Sequence, residues 1–209
     1  MGFISEPTTT LTDFALAALS LFLARRLLCS GSPPPLSRRL WAASFLALAV
    51  AALAGGTWHA IPPGVLPSLR PQLWSLTYSA VGLADTLILA GAARAALSRM
   101  RWTVALVLLA LRFLAYLALV LAQRDFQYVG WDYLVTLLFL VALGVDLARR
   151  DELAARFVVA GALTSSVGAL VQYLRFSPHP RFNDNDLFHV IQMVGVWLFF
   201  RAGLILRDH

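Results

Sequence analysis

The chain has 209 residues, of which 59% are hydrophobic and 13% are charged. Soluble domains keep about a quarter of their residues charged, so this composition excludes an ordinary water-soluble fold and indicates a membrane protein. The formal net charge is +6 and all 17 basic residues are arginines, which leaves no lysine for a Schiff base or a nucleotide-binding loop. The single Cys29 excludes an internal disulfide and a cysteine-rich metal site.

Seven stretches are long and apolar enough to predict membrane-spanning helices, each of which needs about 20 mainly apolar residues. In chain order they cover about residues 10–28, 40–61, 72–97, 102–122, 129–147, 153–174 and 186–206. Residues 30–35, which read Ser-Gly-Ser-Pro-Pro-Pro, predict a loop, and prolines also follow the second stretch and precede the seventh. No basic residue precedes the first stretch, so we expect it to be retained and not cleaved as a secretory signal. The predicted fold is all-α, a polytopic membrane protein with one seven-helix transmembrane domain over residues 1–209.

The arginines predict the orientation of this bundle. Most of them flank the first, third and fifth connections or follow the seventh stretch, whereas the opposite side carries only Arg70, Arg124, Arg175 and Arg181. The positive-inside rule therefore predicts an outer N-terminus and a cytoplasmic C-terminus in the cell (inner) membrane. Because basic residues gather at the ends of apolar segments, we expect membrane lipid and no nucleic acid as a partner. Exclusive use of arginine, with abundant Ala, Leu and Val, also indicates a GC-rich bacterial genome.

The candidate site is a group of histidines and acids that this topology places on the outer side. His59 lies near the end of the second stretch and His189 near the start of the seventh. Asp184 and Asp186 precede His189, and His179 lies in the loop before them. Ionisable side chains at membrane depth are costly, so they indicate a functional site.

The spacing of these residues is compatible with metal binding. Asp186 and His189 stand three apart and share one face of a helix, where a carboxylate and an imidazole can bind a divalent ion. His59 could supply a further ligand, and Asp85 in the third stretch could act as a general base. Two glycines, Gly55 and Gly56, permit close helix approach beside His59.

Structural roles are alternatives for the same side chains. Asn183, Asp184 and Asp186 are typical caps for the start of a helix, where acids complement the dipole. Asp85 could instead neutralise Arg112 in the fourth stretch, for which Asp132 is a second candidate partner.

With seven spans and these residues placed, the chain resembles the superfamily of alkaline ceramidases and progestin/adipoQ receptors (CREST). The resemblance implies seven membrane helices, a zinc ion (Zn²⁺) held by three histidines and, for known members, hydrolysis of lipid amides. It matches His59 to the second-helix histidine, Asp85 to the third-helix aspartate and His189 to one of two seventh-helix histidines. Gly55 stands where the family has serine, and the second seventh-helix histidine is missing.

We therefore expect His59, His189 and Asp186 to hold zinc, although Asp184 or His179 could be the third ligand. In the first functional hypothesis, Asp85 would assist zinc-bound water in hydrolysing a lipid amide or ester. The alternative is a non-enzymatic receptor, sensor or small transporter that uses the same polar pocket, with Asp85, Arg112 and Asp132 as a proton or ion path. A structural subunit, whose polar residues only fix the helix register, is a third reading.

Overall fold

Seven α-helices account for most of residues 4–29 and 33–208, which are the residues that the computed structural model describes. The helices are α1 (Pro7–Leu28), α2 (Leu36–Ala60), α3 (Leu69–Ala96), α4 (Arg99–Gln123), α5 (Phe126–Leu147), α6 (Glu152–Tyr173) and α7 (Asp184–Ile205). In the described part of the chain, the β-structure is limited to an isolated bridge between His179 and Phe182. The predicted all-α fold is confirmed. Residues 30–32 of the first predicted loop lie outside the described residues.

Several helices begin earlier than the apolar stretches that predicted them. Helix α2 begins at Leu36 and α4 at Arg99, where the hydropathy pattern placed the starts at residues 40 and 102. The added turns carry arginines, which are good helix formers and can extend their charged ends to water. An apolar pattern records the part of a helix that lies in lipid and misses such polar extensions.

Six of the helices, α2 to α7, are long and apolar enough to cross a membrane. Helix α1 has a similar length, but its first half is rich in threonine and contains Asp13. Three of these threonines and Asp13 are buried in the bundle. The polar half of α1 thus lies against other helices, where it can contribute to a site.

The helices form a ring with one helix outside it. Helix α1 packs against α2 and α7, and the ring continues from α2 through α3, α5 and α6 back to α7. Helix α4 contacts only α3 and α5 among the helices, and its apolar side chains are mostly exposed. Such a face suits lipid, so α4 presents most of its surface to lipid from a position beside α3 and α5.

Small and aromatic residues fill the arginine-rich half of the ring. Trp41 of α2 is fully buried, meets Phe199 of α7 edge-to-face at 5.9 Å, and donates a hydrogen bond to the carbonyl of Ile88 at 2.9 Å. A Cβ atom on Gly91 would come within 2.3 Å of the Trp41 ring, so only glycine fits there. Small residues let membrane helices approach closely, and this packing fixes α2, α3 and α7 relative to one another.

Candidate functional site

The site lies where α1 begins, α2 ends and α7 begins. The backbone amides of Ser5 and Glu6 donate to the carbonyls of Ala60 and His59, at 3.3 and 3.2 Å, so the chain before α1 is joined to the end of α2. The side-chain amide of Asn183 lies 3.4 Å from the Thr9 hydroxyl and links the start of α7 to α1. His59 and His189 therefore lie at the same end of the bundle.

Helix α7 begins with a capping box. The Asn183 side chain accepts from the amide of Asp186 at 3.0 Å, and Asp186 Oδ2 accepts from the amide of Asn183 at 2.9 Å. These bonds satisfy two amides that a helix start leaves without partners. The predicted capping role of Asn183 and Asp186 is confirmed. Capping uses only one oxygen of Asp186, because Oδ1 is buried without a hydrogen-bond partner among the described residues.

Both ring nitrogens of His189 face α1. Nδ1 lies 3.0 Å from the hydroxyl of Thr12, and Nε2 lies 3.4 Å from Oδ1 of Asp13. His189 is 7% exposed and Asp13 is 5% exposed, so both groups are withdrawn from solvent. Asp13 Oδ2 has no hydrogen-bond partner in the described part of the chain.

The neighbours of Thr12 indicate which ring nitrogen of His189 carries a proton. Its hydroxyl lies 3.0 Å from the carbonyl oxygen of Thr9, which can only accept. The arrangement that fits both contacts of Thr12 has the hydroxyl donating to Thr9 and His189 Nδ1–H donating to the hydroxyl. In that tautomer Nε2 of the neutral ring is an acceptor, so its contact with Asp13 is favourable when either the ring or the carboxyl group carries a further proton.

Two glycines of α2 make room for Asp13. A Cβ atom on Gly55 would lie 3.6 and 3.7 Å from the two Asp13 carboxyl oxygens. On Gly56 it would come within 2.9 Å of Asp13 Cβ and 2.8 Å of the Phe14 ring. Gly56 therefore lets α1 approach α2 closely, as predicted from the sequence, whereas the Gly55 distances are ordinary van der Waals contacts with the same residue, Asp13.

His59 occupies a separate, aromatic part of the same end. Its Nδ1 lies 2.9 Å from Oε2 of Glu6, and the ring of Trp74 meets its ring edge-to-face at 6.2 Å. Trp74 stacks on Trp58, which in turn lies 4.2 Å below the guanidinium group of Arg70. His59 is thereby held by one acid and the aromatic residues of α2 and α3.

An open cleft of about 360 Å³ lies at the same helix ends, beside Glu6 and Asp186. Its walls come from the start of α1 and the segment that enters α7. Glu6, Thr9, Asn183 and Asp186 contribute polar side chains to the lining, and Arg181 lies at its edge. Asp186 is buried, so it forms part of the wall of this cleft and not of its open surface.

A second polar group lies deeper, between α3, α4 and α5. Arg112 forms an ion pair with Asp132 at 2.7 Å and donates to the Thr136 hydroxyl at 2.6 Å. Asp85 is 6% exposed and lies close enough to Arg112, Asp132 and Thr136 to interact with them. Its Oδ2 has no hydrogen-bond partner within the described ranges. Arg112 thus pairs directly with the second of its two predicted partners, Asp132.

Tyr133 lies between the two polar groups. Its hydroxyl donates to Oε1 of Gln192 at 2.6 Å, and Gln192 lies one turn after His189 on the same face of α7. Tyr133 also lies near enough to Asp85 to interact with it. Polar side chains from α7 and α5 therefore extend from the His189 site towards Asp85.

The predicted zinc ligands share one end of the bundle but are engaged elsewhere. His59 contacts Glu6, His189 contacts Thr12 and Asp13, and one oxygen of Asp186 caps α7. Among residues 4–29 and 33–208, no three His, Cys, Asp or Glu side chains are placed to share a metal ion. Asp85 belongs to the deeper group.

The two remaining candidate ligands have contacts within their own loop. The Nδ1 of His179 accepts from the amide of Arg181 at 3.1 Å, and Asp184 Oδ1 lies 3.5 Å from the Ser177 hydroxyl. Both therefore help to shape the segment before α7.

Asp13 is the site residue that the sequence interpretation did not identify. It is the only acidic residue within the first apolar stretch, and that was the available signal. Its partners could not be read from the sequence, because the spacing of residues within α1 says nothing about which helix faces it. The contact between Asp13 and His189 joins residues 176 positions apart and depends on α7 closing the ring onto α1.

Fold and composition define a helical, multi-pass membrane protein with buried ionisable groups in its helix bundle. The chain belongs to a family of unknown function, DUF6962, which matches residues 8–208. No curated protein matches the chain. These findings provide no link to the CREST superfamily, so that resemblance stays a prediction.

Proposed function

We propose that this protein is a small, non-enzymatic membrane transporter that moves protons through its ring of helices. The observation that carries the proposal is the succession of buried ionisable groups inside the bundle, from Asp186 and His189 at one end to Asp85 in the interior. Ionisable residues at membrane depth mark proton and ion pathways in many membrane proteins.

The proposed topology includes all seven helices. Helix α1 has 22 residues, about 33 Å at 1.5 Å per residue, which matches the hydrocarbon core of a bilayer. It packs between α2 and α7, which are themselves apolar enough to span. The distribution of arginines supports an outer N-terminus and a cytoplasmic C-terminus in the cell membrane. In this orientation the cleft beside Asp186 opens to the outside.

The outer half of the pathway is the contact between Asp13 and His189. Nε2 of His189 lies 3.4 Å from the Asp13 carboxyl group, and Asp186 lines the cleft at the same end of the bundle. In the proposed pathway a proton enters from the cleft at Asp186 and passes to the pair of Asp13 and His189. The unpartnered oxygens of Asp13 and Asp186 are further acceptors in the same place.

The inner half continues through Tyr133 to Asp85. The pair of Gln192 and Tyr133 joins α7 to α5, and Tyr133 in turn lies near Asp85. Arg112 forms a 2.7 Å ion pair with Asp132, which leaves Asp85 as the group of this cluster without a direct ion-pair partner in the described residues. We assign to Asp85 the uptake and release of the proton in the interior.

The experiment is proton flux into proteoliposomes that contain a pH-sensitive dye, driven by a potassium diffusion potential. Wild-type protein should acidify the lumen, and Asp85→Asn should reduce the rate at least about tenfold because an amide does not exchange protons in this range. Asp146→Asn is the matched control, since Asp146 lies at the end of α5 and pairs with Arg149 at 3.6 Å. Equal flux in Asp85→Asn and wild type would refute the assignment.

A metal-dependent hydrolase of lipid amides or esters is the second candidate, because one observation favours a cation at the outer site. Buried oxygens without partners cost free energy. Asp13 Oδ2 and Asp186 Oδ1 are both such atoms in the described residues, and Asp13 contacts His189 through its other oxygen. His59, His189 and Asp186 would hold zinc, which supplies a hydroxide at neutral pH when bound. His189 would first have to give up a contact to Thr12 or Asp13.

Elemental analysis separates the two candidates. Protein purified in detergent without chelators should carry close to one zinc per chain if the hydrolase is correct, and His59→Ala and His189→Ala should each lose it. Asn185→Ala is the control, because Asn185 lies in the first turn of α7 but bonds to Gln172. Metal-free wild-type protein that conducts protons would support the transporter.

A further inference from the structure

A second cleft lies at the arginine-rich end of the bundle, far along the helices from the site described above. It has a volume of about 210 Å³ and is lined by the ends of α3 and α5, the turn into α6 and the residues after α7. Its charged lining residues are Arg150, Asp151, Arg207 and Asp208.

Both acids of this cleft are already engaged with the protein. Asp151 Oδ1 accepts from the amide of Ala154 and caps α6. The two oxygens of Asp208 accept from the amides of Leu36 and Ser37, at 3.0 and 2.9 Å, and cap α2 from the far end of the chain. Each carboxylate therefore faces the positive end of a helix dipole.

A third arginine near the cleft, Arg94, is already engaged with the protein. Arg94 lies 3.6 Å from Asp208 and also rests against the Trp102 ring. Arg150 and Arg207, in contrast, are exposed and have no acidic partner within ion-pair distance in the described part of the chain. Two guanidinium groups without an ion-pair partner in the described residues thus line one concave surface, together with two carboxylates that cap helices.

We propose that this cleft binds a phosphate group through Arg150 and Arg207. Guanidinium groups bind phosphate oxygens with paired, charge-assisted hydrogen bonds, and two of them on one cleft can hold a single phosphate between them. The volume exceeds the roughly 30 Å³ of one water molecule several times, so a phosphate with part of its ester group fits. The chemistry is shared by the headgroup of an anionic phospholipid and by free inorganic phosphate.

The position at a helix end favours access from the headgroup layer. The cleft lies where α3, α5 and α7 end, and this level of the bundle carries most of the arginines of the chain. Anionic lipid at such a surface contributes about 1 kcal/mol per basic residue even without a cleft. A defined pair of arginines in a concave site should add selectivity to this general attraction.

The test compares two double variants. The cleft variant carries Arg150→Gln and Arg207→Gln, and the control carries Arg149→Gln and Arg156→Gln. The control removes the same charge from nearby positions, where Arg149 and Arg156 already pair with Asp146 and Glu152. Native mass spectrometry counts phosphatidylglycerol and phosphatidylcholine retained by each detergent-purified protein. Tryptophan fluorescence measures the thermal midpoint with each lipid and with inorganic phosphate.

Wild type and control should retain phosphatidylglycerol over phosphatidylcholine, and the cleft variant should bind it roughly tenfold more weakly. If inorganic phosphate raises the midpoint of wild type and control but not of the cleft variant, the ligand is free phosphate and the site still stands. Equal binding of both anions by cleft variant and control overturns the proposal. If the cleft variant does not fold, the single variant Arg207→Gln, which changes a residue after α7, is measured in the same way. It distinguishes the same outcomes.

Discussion

The two ends of this bundle differ in how fully the carboxyl groups of their acidic side chains are paired. At the arginine-rich end, Asp151 and Asp208 each cap a helix, and Asp146 pairs with an arginine. At the other end, Asp13 and Asp186 are more deeply buried, and each has an oxygen without a hydrogen-bond partner among the described residues.

The difference separates carboxyl groups that only cap a helix or pair with an arginine from Asp13 and Asp186. These two each keep a buried oxygen without a partner in the described residues, although Asp186 also caps α7. A capping carboxylate at a helix start stabilises the protein by about 0.5–2 kcal/mol. A buried oxygen without a partner costs about 1–3 kcal/mol, so its presence calls for a ligand or a proton. The comparison predicts that acid-to-amide changes at the two ends have opposite consequences for stability and function.

The largest effect on stability should come from closing the space that holds Asp13. Gly56→Val puts side-chain atoms where Phe14 and Asp13 lie, and should cost about 3 kcal/mol or more of the free energy of unfolding because α1 must move away from α2. Denaturant titration in mixed micelles measures it. Gly130→Val is the control, since a Cβ atom there meets nothing within 4 Å. Equal costs for both variants would mean that the contact between α1 and α2 is not tight.

Removing the cap supplied by Asp208 should have the next largest effect. Asp208→Asn keeps the shape of the side chain but weakens two amide hydrogen bonds and the contact with Arg94, and should lower the free energy of unfolding by about 1–2 kcal/mol. The same titration checks it. A cost no larger than that of Asp146→Asn would show that the residues after α7 do not hold α2.

The contribution of Asp208 should also depend on pH in a defined direction. Burial acts to raise the pKa of Asp208, but the hydrogen bonds from Ser37 and Leu36 and the charge of Arg94 outweigh it and hold the pKa below its ordinary value. A carboxyl group with a lowered pKa stabilises the fold fully above its unfolded-state pKa of about 4, and loses this contribution as the pH falls through the folded-state pKa.

The difference in unfolding free energy between wild type and Asp208→Asn should therefore be constant above about pH 5 and shrink below about pH 4. Thermal or denaturant unfolding of both proteins across this range measures it. A difference that grows on acidification would contradict the sign.

The smallest change in stability should come from Asp13→Asn. The variant removes a carboxylate that lacks a full set of partners, so the free energy of unfolding should change by no more than about 0.5 kcal/mol, or should rise. Proton flux should nevertheless fall as strongly as in Asp85→Asn, because both acids lie on the proposed pathway. A loss of stability like that of Asp208→Asn, with flux unchanged, would assign Asp13 to the fold and remove the contrast between the two ends.

Local patterns in the sequence were sufficient to predict the helices and one of their caps. Apolar length and proline positions predicted seven helices, and Asn183 with Asp186 three residues later predicted the cap of α7. Both signals are local, because a helix satisfies its own backbone and a cap needs only its neighbours. The glycines of α2 predicted a close approach of another helix for the same reason.

Contacts between side chains on different helices could not be predicted from these local patterns. Arg112 had two candidate ion-pair partners at similar depth, Asp85 and Asp132. The ion pair with Asp132 depends on how α3 and α5 pack around α4. The partner of His189 was expected on α2 or on α7 itself, but α1 supplies Thr12 and Asp13.

The sequence by itself thus determined a helical membrane protein, its seven helices and the residue types that a polar site would use. The tertiary structure decided which of those residues meet, where α4 lies and which acids are left with an unpartnered oxygen. The physical reason is that hydropathy and capping act within one segment of chain, whereas a side-chain contact depends on how the ring of six helices closes.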